Sequence, residues 1–210
     1  MTAKIPIARE GWPFILIPAA LALGLGLSGR RGLATPLALA SLASLGFFRD
    51  PERAVPVVAN GVLAPADGRV LAVEDCLDPF VGSAVRVGIF LSPLDVHVNR
   101  APIAGLVVGL TYAPGRFLAA YRPDAAQANE RNTLHIQGES ARVSVTQIAG
   151  VVARRIVCRV RVGDKLEAGE RFGMIRFGSR TDCVMPRGTD VRVTVGDRVR
   201  AGVTVIGVLP

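Results

Sequence analysis

Histidine is the side chain best suited to moving protons near neutral pH, and this 210-residue chain has two, His97 and His135. His97 lies in Ser92-Pro93-Leu94-Asp95-Val96-His97-Val98-Asn99-Arg100-Ala101-Pro102, a polar stretch that follows an apolar run. His135 closes Asn129-Glu130-Arg131-Asn132-Thr133-Leu134-His135 and reads as a structural residue. Ser179, in Phe177-Gly178-Ser179-Arg180-Thr181-Asp182, is a candidate nucleophile and equally an ordinary loop serine; no G-x-S-x-G elbow surrounds it. Asp67, in Pro65-Ala66-Asp67-Gly68, is first of all a turn residue. No metal is expected, because neither histidine has a second ligand at coordination spacing and no cysteine stands near. Cys76, Cys158 and Cys183 lack CxxC spacing and cannot all pair, which points to a reducing compartment without structural zinc.

Any catalytic grouping must be assembled by elements that are mostly strands. From Val57 onward, Gly, Pro and Asp punctuate short runs rich in Val and Ile: 61–63, 69–73, 84–90 and 142–145. One helical stretch is expected at 123–130. The segment Val162-Gly163-Asp164-Lys165-Leu166-Glu167-Ala168-Gly169 recurs as Val195-Gly196-Asp197-Arg198-Val199-Arg200-Ala201-Gly202, and Ala64-Pro65-Ala66-Asp67-Gly68-Arg69-Val70 has a related pattern. The expected fold is mainly β, with antiparallel sheets and a biotinyl/lipoyl-like barrel-sandwich element. A carrier role does not follow. A carrier needs a lysine at an exposed hairpin tip, and Lys165 sits inside the repeated turn.

The first 48 residues differ in kind. Between residues 11 and 48 the only charges are Arg30 and Arg31, in a Gly29-Arg30-Arg31-Gly32 break between the apolar runs 12–28 and 33–48. At about 1.5 Å per residue each run spans roughly 25 Å as a helix, just short of a ~30 Å hydrocarbon core. Pro13, Pro18 and Pro36 would kink or delimit the helices. The expectation is a membrane-associated hydrophobic helical hairpin over 1–48, preceding a globular domain over 49–210. A cleaved signal peptide fits less well, since the apolar region is too long and continues past the arginine pair; a buried soluble helix pair is the other alternative. The whole chain is 50% hydrophobic and 5% aromatic, with mean hydropathy +0.40 and net charge +8. Scarce aromatics and basic clusters no longer than a pair argue against single-strand nucleic acid as a partner. An anionic membrane surface suits the charge better.

The ordered combination is recognisable. Phe47-Phe48-Arg49-Asp50-Pro51-Glu52-Arg53, then Pro-Ala-Asp-Gly, then the Ser-Pro-Leu-Asp-Val-His-Val-Asn-Arg block, then Asn-Glu-Arg-Asn, then Phe172 to Asp182 together resemble a phosphatidylserine decarboxylase proenzyme of the short, archaeal-type subfamily, from about residue 11 to the C-terminus. The resemblance implies self-cleavage between Gly178 and Ser179, giving a β chain of 1–178 and an α chain of 179–210, with Ser179 converted to a pyruvoyl group. It implies decarboxylation of phosphatidylserine to phosphatidylethanolamine and CO2 through a Schiff base with that group, without metal or pyridoxal phosphate. His97 is then the matching base and Asp67 the carboxylate that orients it. Thr181 is a candidate for the oxyanion, and Arg100 or Arg180 for the substrate's phosphate or carboxylate. Larger bacterial members carry a second histidine where this chain has Arg100. The expected location is the cell membrane, with the catalytic domain on the cytoplasmic side and a homo-oligomer as one arrangement. Two other readings are a pyruvoyl enzyme acting on a different amine and an unprocessed, membrane-anchored binding module.

Overall fold

A computed structural model describes residues 6–122, 124–151, 155–176 and 179–210. The chain divides into two compact units, 1–52 and 53–210. In the first, a short 3-10 turn leads into helix α1 (Trp12–Leu27), and a tight turn at 28–30 leads into α2 (Arg31–Phe47). The helices pack together, with the buried Ser41 hydroxyl donating to the Ile15 carbonyl at 2.8 Å. Pro18 and Pro36 lie inside the helices rather than at their ends. At the open end Phe48 stacks on Phe14, and its carbonyl accepts from Ala8 N at 2.8 Å. Much of the apolar surface is left outward, including Leu16, Ile17, Leu21, Leu23 and Leu27 of α1. The stretch Arg9–Leu27 is long and apolar enough to cross a membrane by length and composition.

The second unit is mainly β, and its strands pair antiparallel among the described residues. Its strands among the described residues are β1 (Gly61–Leu63), β2 (Gly68–Asp78), β3 (Gly82–Leu91), β4 (Val98–Arg100), β5 (Gly105–Ala113), β6 (Arg131–Gln137), β7 (Arg142–Ile148), β8 (Ile156–Cys158), β9 (Lys165–Leu166), β10 (Arg171–Ile175), β11 (Ser179–Pro186), β12 (Asp190–Val191), β13 (Arg198–Val199) and β14 (Val205–Val208). An eight-stranded sheet has the order β13-β2-β3-β11-β7-β6-β5-β9, beside three-stranded sheets β4-β10-β8 and β1-β14-β12. The stretch expected to be helical at 123–130 forms a single turn, α3 (Ala125–Ala128). Strand alternation divides the large sheet into two faces. Val87, Ile89, Leu91, Leu134, Ile136, Val143, Val145, Cys183 and Met185 point inward and join Phe172 and Ile206 in the main core. Gly68 permits the tight start of β2: a Cβ there would lie 1.9 Å from the Phe90 carbonyl oxygen, and its φ is +149°.

The repeated octapeptide is repeated in three dimensions. Gly163 and Gly196 both have φ +98°, and each N–H donates to a strand carbonyl, Val107 O at 2.8 Å and Val70 O at 2.9 Å. Asp164 and Asp197 each accept from the backbone N–H three residues earlier at 2.8 Å, closing equivalent turns. Gly169 N donates to Ala101 O and Gly202 N to Ala64 O. The partner strands repeat as well: β9 pairs with Gly105 and Leu106, β13 with Gly68 and Arg69. Ala64-Pro65-Ala66-Asp67-Gly68 therefore corresponds to Ala101-Pro102-Ile103-Ala104-Gly105. Asp67 stands where the other half has Ala104, so only one half carries a carboxylate.

Candidate active site

Strand β11 begins at Ser179, lies between β3 and β7, and is buried on both of its faces. Its alternation decides what each candidate can reach. Cys183 and Met185 point into the core, so Ser179 and Thr181 share that inner face. Ser179 is fully buried, and its Oγ has no hydrogen-bond partner among the described residues. A buried, unsatisfied hydroxyl costs about 1–3 kcal/mol and is a feature to be accounted for by chemistry. Gly178, the other half of the expected cleavage bond, lies outside the described residues.

Arg180 projects from the opposite face. Its Nε meets Asp182 Oδ1 at 2.5 Å and its Nη2 meets Oδ2 at 3.1 Å, over Gly88 of β3. Strand parity therefore places Arg180, a candidate for the substrate's phosphate or carboxylate, on the face opposite Ser179. Burial pushes the Asp182 carboxyl up, outweighing the opposing pull of Arg180 and Arg86. The same outer face carries Arg86, Thr133, Thr146 and Asp182 around a cavity of about 180 Å³. His135 is on that outer face too, hydrogen-bonded to Ser144 Oγ at 3.0 Å and packed against Phe80. Partial burial pulls its pKa down. His135 thus lies on the face of the sheet opposite to Ser179.

His97 is fully buried just before β4, and its carbonyl accepts from Ile175 N, which ends β10 four residues before Ser179. Its Nδ1 lies 2.9 Å from the Asp95 carbonyl oxygen. A carbonyl only accepts, so Nδ1 carries the proton and Nε2 the basic lone pair. Asp95 is itself fixed, accepting from Ser92 N at 2.8 Å across the Ser-Pro-Leu-Asp turn. The orienting contact to Nδ1 thus comes from a backbone carbonyl. Asp67 directs its carboxylate elsewhere: to Arg53 through two bonds of 2.5 and 2.8 Å, and to Ala201 N at 2.8 Å. Arg53 also donates to Ala201 O at 2.7 Å. Arg100 is buried, donating to Gly169 O at 3.0 Å and packing against Gly202.

Three residues emerge to which the sequence suggested no role, Asn99 and Asn132 within its motifs and Gln147 outside them. Asn99 Nδ2 donates to Thr181 Oγ1 at 3.2 Å, Gln147 Nε2 to Asn99 Oδ1 at 2.9 Å, and Asn132 Nδ2 to Gln147 Oε1 at 3.3 Å. These side chains link β4, β11, β7 and β6 beneath Ser179. The contact Asn99–Thr181 lies two residues beyond His97 on one strand path and two beyond Ser179 on the other. The period-2 pattern was the available signal, since residues at 97 and 99, and at 179 and 181, share a face. Asn129 of the Asn-Glu-Arg-Asn motif instead clamps a loop, exchanging bonds with Leu118 N and O at 2.8 Å and donating to Ala149 O at 2.7 Å.

The model of the phosphatidylserine decarboxylase family matches residues 42–207, which include every residue just described around Ser179. The chain belongs to the phosphatidylserine decarboxylase family. Phosphatidylserine decarboxylase proenzymes of Burkholderia mallei (strain SAVP1) and Burkholderia pseudomallei (strain K96243) are each 48% identical to it over 206 residues, covering 97% of this chain and 95% of theirs. The proenzyme of Burkholderia ambifaria (strain MC40-6) is 46% identical over 205 residues, 97% of this chain and 96% of its own. Family membership brings a pyruvoyl group made from the protein itself. The site fits that group: among the described residues a serine with an unpartnered hydroxyl heads a buried strand, an amide donor meets Thr181 on the same face, and His97, bonded through its carbonyl to the end of β10, has its tautomer fixed.

Proposed function

We propose that this proenzyme cleaves itself at Gly178–Ser179 and that the residue at position 179 then serves the conversion of phosphatidylserine to phosphatidylethanolamine and CO2 in phospholipid biosynthesis. The observation that carries the site assignment is the fully buried Ser179 Oγ at the head of β11, without a hydrogen-bond partner among the described residues. In maturation Ser179 Oγ attacks the Gly178 carbonyl carbon while its proton passes to His97 Nε2. The C–N bond breaks as the C–O bond forms, and His97 returns the proton to the departing nitrogen. Loss of the Ser179 α-proton then expels the Gly178 carboxylate. Water enters and ammonia leaves, so the new α chain starts with a ketone. Thr181 is the side-chain donor for the oxyanion of the first step.

When formed, the pyruvoyl group supplies an electrophilic carbonyl for the substrate amine and a sink for the electrons freed with CO2. His97 Nε2 then delivers a proton to the substrate carbon that has lost its carboxylate. Asp67 and Arg53 act at a distance, pinning the Ala201–Gly202 turn of the future α chain to the future β chain.

We read residues 1–48 as a hairpin seated in the cytoplasmic membrane leaflet and 49–210 as the catalytic domain, on the cytoplasmic side. The outward leucines of α1 support this, as does the substrate, whose acyl chains resist leaving lipid by ~0.8 kcal/mol per CH2. The paired octapeptide turns support a biotinyl/lipoyl-like barrel-sandwich within the catalytic domain. The test is release of labelled CO2 from carboxyl-labelled phosphatidylserine in mixed micelles. Purified wild type is expected to release it and Ser179→Ala to release none; activity in a protein carrying Ser179→Ala overturns the assignment.

A further inference from the structure

The amides below Ser179 have a direction. Asn, Gln and Thr can each donate and accept, so a contact between two of them does not by itself say which atom holds the proton. Backbone carbonyls remove the ambiguity here. Asn99 Nδ2 also reaches Pro65 O at 3.4 Å, and Gln147 Nε2 also reaches Val157 O at 3.4 Å. Carbonyls only accept, so both of those atoms are amide nitrogens. Gln147 then presents Oε1 to Asn132, and Asn99 presents Oδ1 to Gln147. The donors run one way, Asn132 to Gln147 to Asn99 to Thr181. At the end Thr181 Oγ1 accepts, and its single proton must leave in another direction.

We propose that Asn132, Gln147 and Asn99 form a one-way hydrogen-bond relay that turns the Thr181 hydroxyl proton away from Asn99, committing it as a donor for the oxyanion of self-cleavage on the face that Thr181 shares with Ser179, with Asn99 and Gln147 as positioning residues. The inference rests on the assignment of Ser179 as the cleavage nucleophile. All four relay residues are buried, so no bulk water competes to reorient them. Burial also strengthens each bond and makes a reversed one costly. A threonine hydroxyl free to rotate would spend part of its time presenting a lone pair to the oxyanion. The relay abolishes that orientation before the reaction begins, which is the condition for effective oxyanion stabilisation.

The relay is tested by reversing one step without changing shape. Asn99→Asp keeps the acceptor for Gln147 but puts an oxygen against Thr181 Oγ1, so Thr181 must donate backward. Precursor made in a cell-free pulse is followed by gel and mass spectrometry during the chase, with thermal melting of each uncut variant as the folding control. Asn99→Asp and Thr181→Val are each expected to slow cleavage about tenfold or more, and Thr181→Ser, which keeps the hydroxyl, to cleave faster than Thr181→Val. In the double variant, Asn99→Asp is expected to add less than about twofold to Thr181→Val, because the two act through one hydroxyl. Gln147→Glu, which reverses the previous step, serves if Asn99→Asp does not accumulate as folded precursor. Folded Asn99→Asp or Gln147→Glu cleaving at the wild-type rate overturns the relay, as does full multiplication of its effect with that of Thr181→Val. Cleavage persisting in Ser179→Ala would instead overturn the underlying site assignment.

Discussion

The Asp67 carboxylate separates two accounts of this site. In the structure it forms a two-bond pair with Arg53, and both side chains are largely buried, at 14% and 10% exposure. Each also bonds the Ala201 backbone. Asp67→Ala strands the Arg53 guanidinium, and breaking a buried pair from one side costs about 3–5 kcal/mol. At roughly 2–4 °C per kcal/mol for a domain of this size, the melting temperature is expected to fall by roughly 6–20 °C. The measurement is best made in a Ser179→Ala background, so that every variant is compared as one uncut chain. Replacing both partners, Arg53→Met with Asp67→Leu, removes the stranded charge and is expected to recover most of the lost stability. In the Ser179-containing protein the same double variant is expected to regain self-cleavage. Recovered stability with cleavage still absent would refute the clamp and return Asp67 to the role of orienting His97. A melting temperature unchanged by Asp67→Ala would refute the energetic reasoning itself.

Two other outcomes follow from different parts of the molecule. Burial lowers the His135 pKa below its unfolded value, so its contribution to stability is present above the unfolded pKa and is lost as pH falls through the folded one. Urea midpoints taken downward from pH 7 are expected to fall less steeply in His135→Gln than in the parent chain; equal slopes would contradict this. Removing residues 1–48, which belong to a separate compact unit, is expected to spare self-cleavage and activity on short-chain monomeric substrate. The same truncation should reduce activity on phosphatidylserine vesicles about tenfold or more, because lipid must then be met without the apolar anchor; equal vesicle activity would contradict the membrane reading.

The strands were legible in the sequence because Val and Ile runs between Gly, Pro and Asp turns leave the chain little else to form. β2 and β3 run longer than their apolar runs, since the hairpin continues pairing through Glu74–Asp78 to the Gly82 turn. The helical stretch after Pro123 shrinks to one turn. The octapeptide repeat was visible, but its partner strands correspond only through hydrogen bonds, and they alone reveal that Asp67 occupies the place of Ala104. The motifs suggested roles for Ser179, His97 and Thr181; Asn99 and Asn132 lie in the same motifs and Gln147 in none, and the sequence suggested a role for none of these three. A buried amide looks like any polar strand residue until its partner, 82 residues away for Asn99 and Thr181, is placed against it. Arg180, expected to hold the substrate's phosphate or carboxylate, faces away from Ser179 because neighbouring residues of one strand point opposite ways.

The central claim is that Ser179 becomes the reactive end of a second chain. Intact-mass spectrometry of the purified protein tests it most directly. Two species are expected, one ending at Gly178 and one running from position 179 to Pro210 that is lighter by one ammonia than the serine-started peptide and blocked to N-terminal sequencing. A single full-length chain from cells with active enzyme, or a shorter chain beginning with unmodified serine, would contradict it.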